Sequence, residues 1–251
     1  MIKGIIFDMD GLMIDTEKLY QRFWVEAAND FGFPMTKEHV LGIRSLAAKY
    51  AMPHLKSIFG ENFDYYAIKA RRIELMNKYI EKNGIVKKPG LNQLLEYLSN
   101  NNYRIAVATA TNSERTTMYL KRINVYDYFD KIICGDMIEN GKPAPDIYLE
   151  ASKQLGLKPS ECIALEDSPN GILSAHRAGC MPIMIPDLSQ PDEETTKLLY
   201  AKCDDLYGVI EIIEKSKNKS WIWHKPLDNN VFKHFEICLQ IELCLFAINI
   251  E

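Results

Sequence analysis

The segment Ile2–Phe7 is an apolar, β-branched run that stops abruptly at Asp8. A strand that is apolar on both faces does not tolerate water on either. It belongs in a parallel sheet covered by helices on both sides. Similar short runs recur at Tyr103–Thr109, Lys131–Cys134, Glu161–Leu165 and Met181–Ile185. Helical periodicity lies between them. Leu91, Leu94, Leu95 and Leu98 repeat at helical spacing, as do Ile147, Leu149, Ala151 and Leu155 before Gly156, and Val209–Lys215 predicts a closing helix. Alternating strands and helices joined by right-handed crossovers predict an α/β fold built on a doubly wound, Rossmann-like parallel sheet.

One stretch breaks this rhythm. Residues 16–83 show helical patterns and no convincing strand. Trp24, Ala27, Ala28 and Phe31 are spaced for one helix face, and Ile68, Arg71, Leu75 and Tyr79 for another. A segment this long is not a loop, so it predicts a helical domain inserted after the first strand. The expected division is a core of residues 1–15 and 84–217, a helical cap of residues 16–83, and a C-terminal extension of residues 218–251. The turn Lys87–Gly90 marks the return to the core. The extension is apolar from Ile237 to Ile250 but short and interrupted by Glu242. An appended helix or out-of-frame coding is expected there, ahead of a dimerisation or membrane-surface helix, and no chemistry is assigned to it.

Composition narrows the class. Of 251 residues, 47% are apolar and 25% charged, which excludes disordered, collagen-like and disulfide-rich chains. No stretch approaches the roughly 20 apolar residues a bilayer span needs. The formal charge of −4, from 30 basic and 34 acidic residues, leaves no basic surplus for nucleic acid or an anionic membrane. Cys134, Cys162, Cys180, Cys203, Cys238 and Cys244 form no CxxC pair and read as buried free thiols. The N-terminal run, closed by two aspartates, does not resemble a signal peptide. A cytoplasmic monomer is expected.

Four polar clusters sit where strands end or loops join elements: Asp8-Met9-Asp10-Gly11, Thr109-Ala110-Thr111-Asn112, Gly141-Lys142-Pro143 and Glu166-Asp167-Ser168-Pro169-Asn170-Gly171. In open α/β sheets, ligands bind beyond the carboxyl ends of the strands, so distant clusters can meet in one crevice. Period two puts Asp8 and Asp10 on one side of extended chain. Gly11 permits a sharp turn. A threonine hydroxyl donates to phosphate oxygens, Lys142 supplies a point charge, and Ser168-Pro169 starts a helix. Asp8, Asp10, Glu166 and Asp167 together bring up to four negative charges against one from Lys142. They cannot all ionise without a cation. Mg²⁺ with oxygen ligands, beside a phosphate, resolves the conflict.

In this order the segments IIFDMDGLMIDTE, VATAT, GKPAPDIY and EDSPNGILSAHRAG resemble the four motifs of the haloacid dehalogenase superfamily of phosphotransferases. The resemblance covers Met1 to about Lys217. It is similar to the branch containing β-phosphoglucomutase and small sugar- and nucleotide-phosphate phosphatases, including pseudouridine-5′-phosphatase, with a helical cap after the first motif. The resemblance implies that Asp8 is the nucleophile and Asp10 the general acid and base. It implies that Thr109, Ala110 and Lys142 hold the phosphoryl group. Mg²⁺ would be held by Asp8, Glu166, Asp167 and the Asp10 backbone carbonyl. The cap would work as a lid, hinged near Asp15–Thr16 and Asn83–Lys88.

The expected function is Mg²⁺-dependent hydrolysis of a small phosphorylated metabolite, a sugar phosphate or nucleotide monophosphate, through an aspartyl-phosphate. A hexose phosphomutase is the alternative. Tyr20 where that branch carries His, and Ile43-Arg44-Ser45-Leu46 where it carries a Ser-Arg-Glu element, weigh against it. From another class comes a catalytically inactive phosphate-binding module, and dehalogenation is disfavoured by the acidic pair Glu166–Asp167. Tyr20, Arg44 and Asn112 are candidate substrate contacts, with cap-core packing, a solvated helix charge and helix N-capping as their respective structural readings.

Overall fold

The computed structural model describes residues 1–44 and 46–218. The extension past residue 218, with Cys238 and Cys244, lies outside the described residues, as does Ser45. Met1–Lys215 forms one compact unit, and a second begins at Ser216.

Six parallel strands form one sheet in the order β3-β2-β1-β4-β5-β6: β1 (Gly4–Phe7), β2 (Arg104–Thr109), β3 (Lys131–Cys134), β4 (Cys162–Glu166), β5 (Met181–Met184) and β6 (Ala201–Lys202). β1 sits at the centre, with Phe7 in register with Val107 on one side and Leu165 on the other. Every residue of β1, β4 and β5 is buried. The strand period of two divides their side chains between the two faces. Ile5, Phe7, Ile163 and Leu165 join the leucines of α5 (Leu91–Asn100), whereas Ile6, Cys162 and Ala164 join α7 (Asp146–Gln154) and α8 (Pro169–Ala178). This is the α/β, Rossmann-like architecture expected from the apolar runs. The two-residue strand β6 was not expected, because an edge pairing this short leaves no apolar run. The last described helix is α10 (Tyr207–Asn218), and α9 (Glu193–Leu198) precedes β6.

Between β1 and β2 the chain forms α1 (Glu17–Asp30), α2 (Lys37–Leu41), α3 (Ala48–Phe59), α4 (Tyr65–Asn83) and then α5. Trp24, Ala27, Ala28, Val40, Leu55, Phe63 and Ile68 build an apolar cluster separate from those on the sheet. Two connecting stretches are laced together, with the Asp15 N–H donating to Val86 O and the Lys88 N–H to Met13 O, each at 2.9 Å.

The helix faces depart from the expected ones in three places. Phe31 is 46% exposed, because α1 has already ended there. Leu149 is 43% exposed, and Tyr148 takes the inward position on α7. On α4 the buried line is Ile68, Arg72, Met76 and Ile80; Arg71 instead pairs at the surface with Asp30 and Glu74. The four described cysteines are free and buried, as expected. No described helix is long and apolar enough to cross a membrane.

Candidate active site

The strand ends β1, β2 and β4 bring the four polar clusters together. The Asp8 N–H continues the sheet by donating to Leu165 O at 3.0 Å, and then the chain turns back on itself at Gly11. Gly11 has φ +88°, and a Cβ there would stand 2.1 Å from Asp167 Oδ2. Only glycine satisfies both the left-handed backbone and the close approach.

Lys142 is 1% exposed and uses all three of its N–H donors. They reach Asp8 Oδ1 at 2.5 Å, Glu166 Oε1 at 2.6 Å and Ala108 O at 3.0 Å. Burial works to lower its pKa, but the Asp8 and Glu166 carboxylates outweigh that and hold it above the ordinary lysine value. Tyr148 also donates to Glu166 Oε1, at 2.5 Å. Asp8 is pushed up to about 7 by burial, against the Lys142 charge and with that of Glu166.

Asp10 is held differently. Thr16 donates to its Oδ1 at 2.6 Å and Thr111 to its Oδ2 at 2.7 Å. Burial raises its pKa, and the two threonine bonds partly offset the rise. Thr109, at the end of β2, accepts the Thr111 N–H at 3.1 Å and keeps its own hydroxyl proton to donate. Ala110 follows on the cavity wall.

Asp8, Glu166 and Asp167 each place a carboxylate oxygen within 4.8 Å of the others, and all three are buried. Among the described residues, Asp167 Oδ1 has no hydrogen-bond partner. Burial, with Glu17, Asp8 and Glu166 adding and Arg44 opposing, holds Asp167 well above the ordinary carboxylate range. An orphaned buried oxygen within a trio of hard donors fits a Mg²⁺ ion. The Asp10 carboxylate lies outside the trio, because the two threonines hold it.

A cavity of about 490 Å³ opens on Asp8, Asp10, Thr109 and Lys142, a size suited to a small ligand. Tyr20 and Asn112 line it. Tyr20 is half-buried, with its hydroxyl 3.4 Å from Thr111 Oγ1. Asn112 caps α6 (Ser113–Arg122), accepting the Arg115 N–H at 3.1 Å. Arg44 lines it too, and the structure corrects the solvated-charge reading of this residue, which is 7% exposed and paired with Asp167 Oδ2 at 2.9 Å. It also donates to the Asp167 backbone carbonyl and, at 3.3 Å, to Ser189 Oγ.

Several neighbours escaped the sequence reading. Glu17 is buried and pushed up to about 8 by desolvation, with Arg44 opposing. Tyr148 braces Glu166, and Lys69, Arg72 and Arg115 line the cavity. Nothing local marks these residues, because each belongs to the site through packing alone.

A profile of the family described as haloacid dehalogenase-like hydrolase matches residues 5–185. The chain belongs to that family. A "phosphorylated carbohydrates phosphatase" of Thermotoga maritima is 30% identical over 183 residues, covering 71% of this chain and 82% of its own. A "probable pseudouridine-5′-phosphatase" of Drosophila melanogaster is 32% identical over 201 residues, covering 76% and 84%. Among solved structures, CbbY from Rhodobacter sphaeroides in complex with phosphate superposes with a TM-score of 0.70 at 26% identity, covering 82% of this chain and 95% of its own. The expected enzyme class, a phosphoric monoester hydrolase, agrees with these relatives.

Proposed function

We propose that this hydrolase is a Mg²⁺-dependent phosphatase of a small phosphorylated metabolite, a sugar phosphate or nucleotide monophosphate, working through an aspartyl-phosphate. The observation that carries the reading is the contrast between its two aspartates. Asp8 is anchored to a cation through one oxygen, while Asp10 lies two residues on, held by neutral hydroxyls in a desolvated pocket.

Lys142 favours ionised Asp8 and aims its free oxygen. That oxygen attacks phosphorus while the bond to the leaving oxygen breaks. Asp10, its proton retained by burial, gives that proton to the leaving oxygen. The Asp10 carboxylate then takes a proton from water. The water oxygen attacks phosphorus, the bond to Asp8 breaks, and inorganic phosphate leaves. Lys142 and the Thr109 hydroxyl steady the phosphoryl oxygens throughout.

Asp8, Asp167, the second oxygen of Glu166 and the Asp10 backbone carbonyl would hold Mg²⁺. Bound there, the ion neutralises phosphoryl oxygens and aligns them with Asp8. The helical segment 16–83 would act as a lid that excludes water from the first step. Release of phosphate from p-nitrophenyl phosphate by the full chain, dependent on Mg²⁺ and lost in Asp8→Asn, tests the reading. Conversion of β-glucose 1-phosphate to the 6-phosphate faster than phosphate release would instead make the enzyme a mutase.

A further inference from the structure

The cavity has a second set of cations that the phosphoryl chemistry does not use. Lys69 and Arg72 lie one turn apart on α4, and Arg115 lies in the first turn of α6; all three line the cavity that holds Asp8. Arg72 is 7% exposed, and its Nε has no hydrogen-bond partner among the described residues. Among the described residues, none of the three has a carboxylate within 4.0 Å. Arg115 makes one long hydrogen bond, 3.4 Å, to Asn77. Burial depresses the pKa of both Lys69 and Arg72, and the neighbouring arginines add to the effect. Buried charge normally comes with a partner. Arg72 is such a charge without one, and the half-buried Lys69 and Arg115 line the same cavity, which leaves a place for an anion.

The mounting of Arg72 supports this. Its guanidinium stacks on the Tyr20 ring, 4.4 Å from the centroid, and on Trp24 at 5.0 Å. Stacking fixes the plane and leaves the N–H edges for an acceptor lying in it. Asp10 feels the charge of both arginines. Its two oxygens, however, are already held by Thr16 and Thr111, and it forms no ion pair with either arginine.

We propose that Lys69, Arg72 and Arg115 form a second anion subsite. The substrate then carries a second negative group, a carboxylate or another phosphate, on the leaving-group side of the phosphate that Asp8 attacks. The substrate statement rests on the phosphatase reading above; the subsite does not.

The test uses the full chain with Mg²⁺ and four substrates: p-nitrophenyl phosphate, a hexose 6-phosphate, a hexose 1,6-bisphosphate and the 6-phosphate of a sugar acid. At least one bis-anionic substrate is expected to exceed the hexose 6-phosphate in kcat/KM by about tenfold or more. The bisphosphate and sugar-acid arms tell which anion is preferred. Arg72→Gln is expected to remove that preference through a higher KM for the bis-anionic substrate, and Arg72→Lys to restore part of it. Arg115→Gln, at a half-buried site, gives the same readout should Arg72→Gln fail to fold. Equal kcat/KM for mono- and bis-anionic substrates would overturn the proposal. So would an equal loss on all four substrates, which is what a partner of Asp10 would give. Calorimetric binding of the same ligands to Asp8→Asn separates the two readings. Tighter binding of bis-anions without turnover by the wild type would sink the phosphatase and keep the subsite, and equal binding would sink the subsite.

Discussion

Lys142 and Arg72 are both long cations buried almost completely, at 1% and 7% exposure, yet they stand in opposite surroundings. Every donor of Lys142 meets an oxygen of this chain, two of them on carboxylates. Arg72 meets two aromatic faces and has no ion-pair partner among the described residues. The first arrangement spends its charge inside the protein and fixes the geometry of Asp8. The second keeps its charge available. One cavity thus joins a region that fixes the proposed nucleophile to a region whose buried cation has no carboxylate partner among the described residues. The difference teaches where to expect catalysis and where to expect selectivity.

The contrast is expected to break most severely at Asp8, the proposed nucleophile. Asp8→Asn is expected to lower kcat on p-nitrophenyl phosphate by about 10⁴-fold or more, since Asp8 is the proposed acceptor of the phosphoryl group. A residual rate within tenfold of the wild type would remove Asp8 from the chemistry. Next comes Lys142→Met. It strands two buried carboxylates, so thermal unfolding should report a loss of about 3–5 kcal/mol together with loss of activity. Adding Glu166→Gln should recover part of the stability but none of the turnover. Recovery of both would mean that Lys142 is only structural.

Protons sharpen the comparison further. Asp8 is pushed up to about 7 and Asp167 well above its ordinary value, both chiefly by burial. Below about pH 4 these carboxyls are protonated in both the folded and the unfolded chain and cost nothing. As pH rises from there through about 7, the folded state must ionise groups it holds as acids, and stability falls. A cation at the trio would relieve that cost. The rise in Tm on adding Mg²⁺ should therefore be larger near pH 8 than near pH 5.5, and small in Asp167→Asn. Equal shifts at both pH values would argue against metal at Asp8, Glu166 and Asp167. The smallest effect is expected one residue from Arg72. Arg71→Gln removes only surface ion pairs with Asp30 and Glu74 and should change stability by less than about 1 kcal/mol, with substrate preference untouched.

Much of the fold was legible because it depends on short-range pattern. The continuous apolar runs announce β1, β4 and β5, and the leucines of α5 repeat on one face. Tyr148 and Arg72 show the limit. On α7 and α4 more than one line of residues satisfies helical spacing, and the choice was made by what the neighbouring elements needed. Tyr148 turns inward to reach Glu166, and Arg72 turns inward to lie on Tyr20 and Trp24, leaving Leu149 and Arg71 at the surface. The burial of Arg44 was missed for the same reason. Its partner Asp167 is 123 residues away in sequence.

The sequence by itself determined the strands β1 to β5, the helical character of the segments between them and the four polar clusters, because apolar periodicity and residue chemistry act over a few positions. Only the tertiary structure decided which oxygen faces which cation, since that depends on packing among elements far apart in the chain. Pairing Lys142 with Asp8 and Glu166, Arg44 with Asp167, and Arg72 with no carboxylate among the described residues is the outcome of that packing.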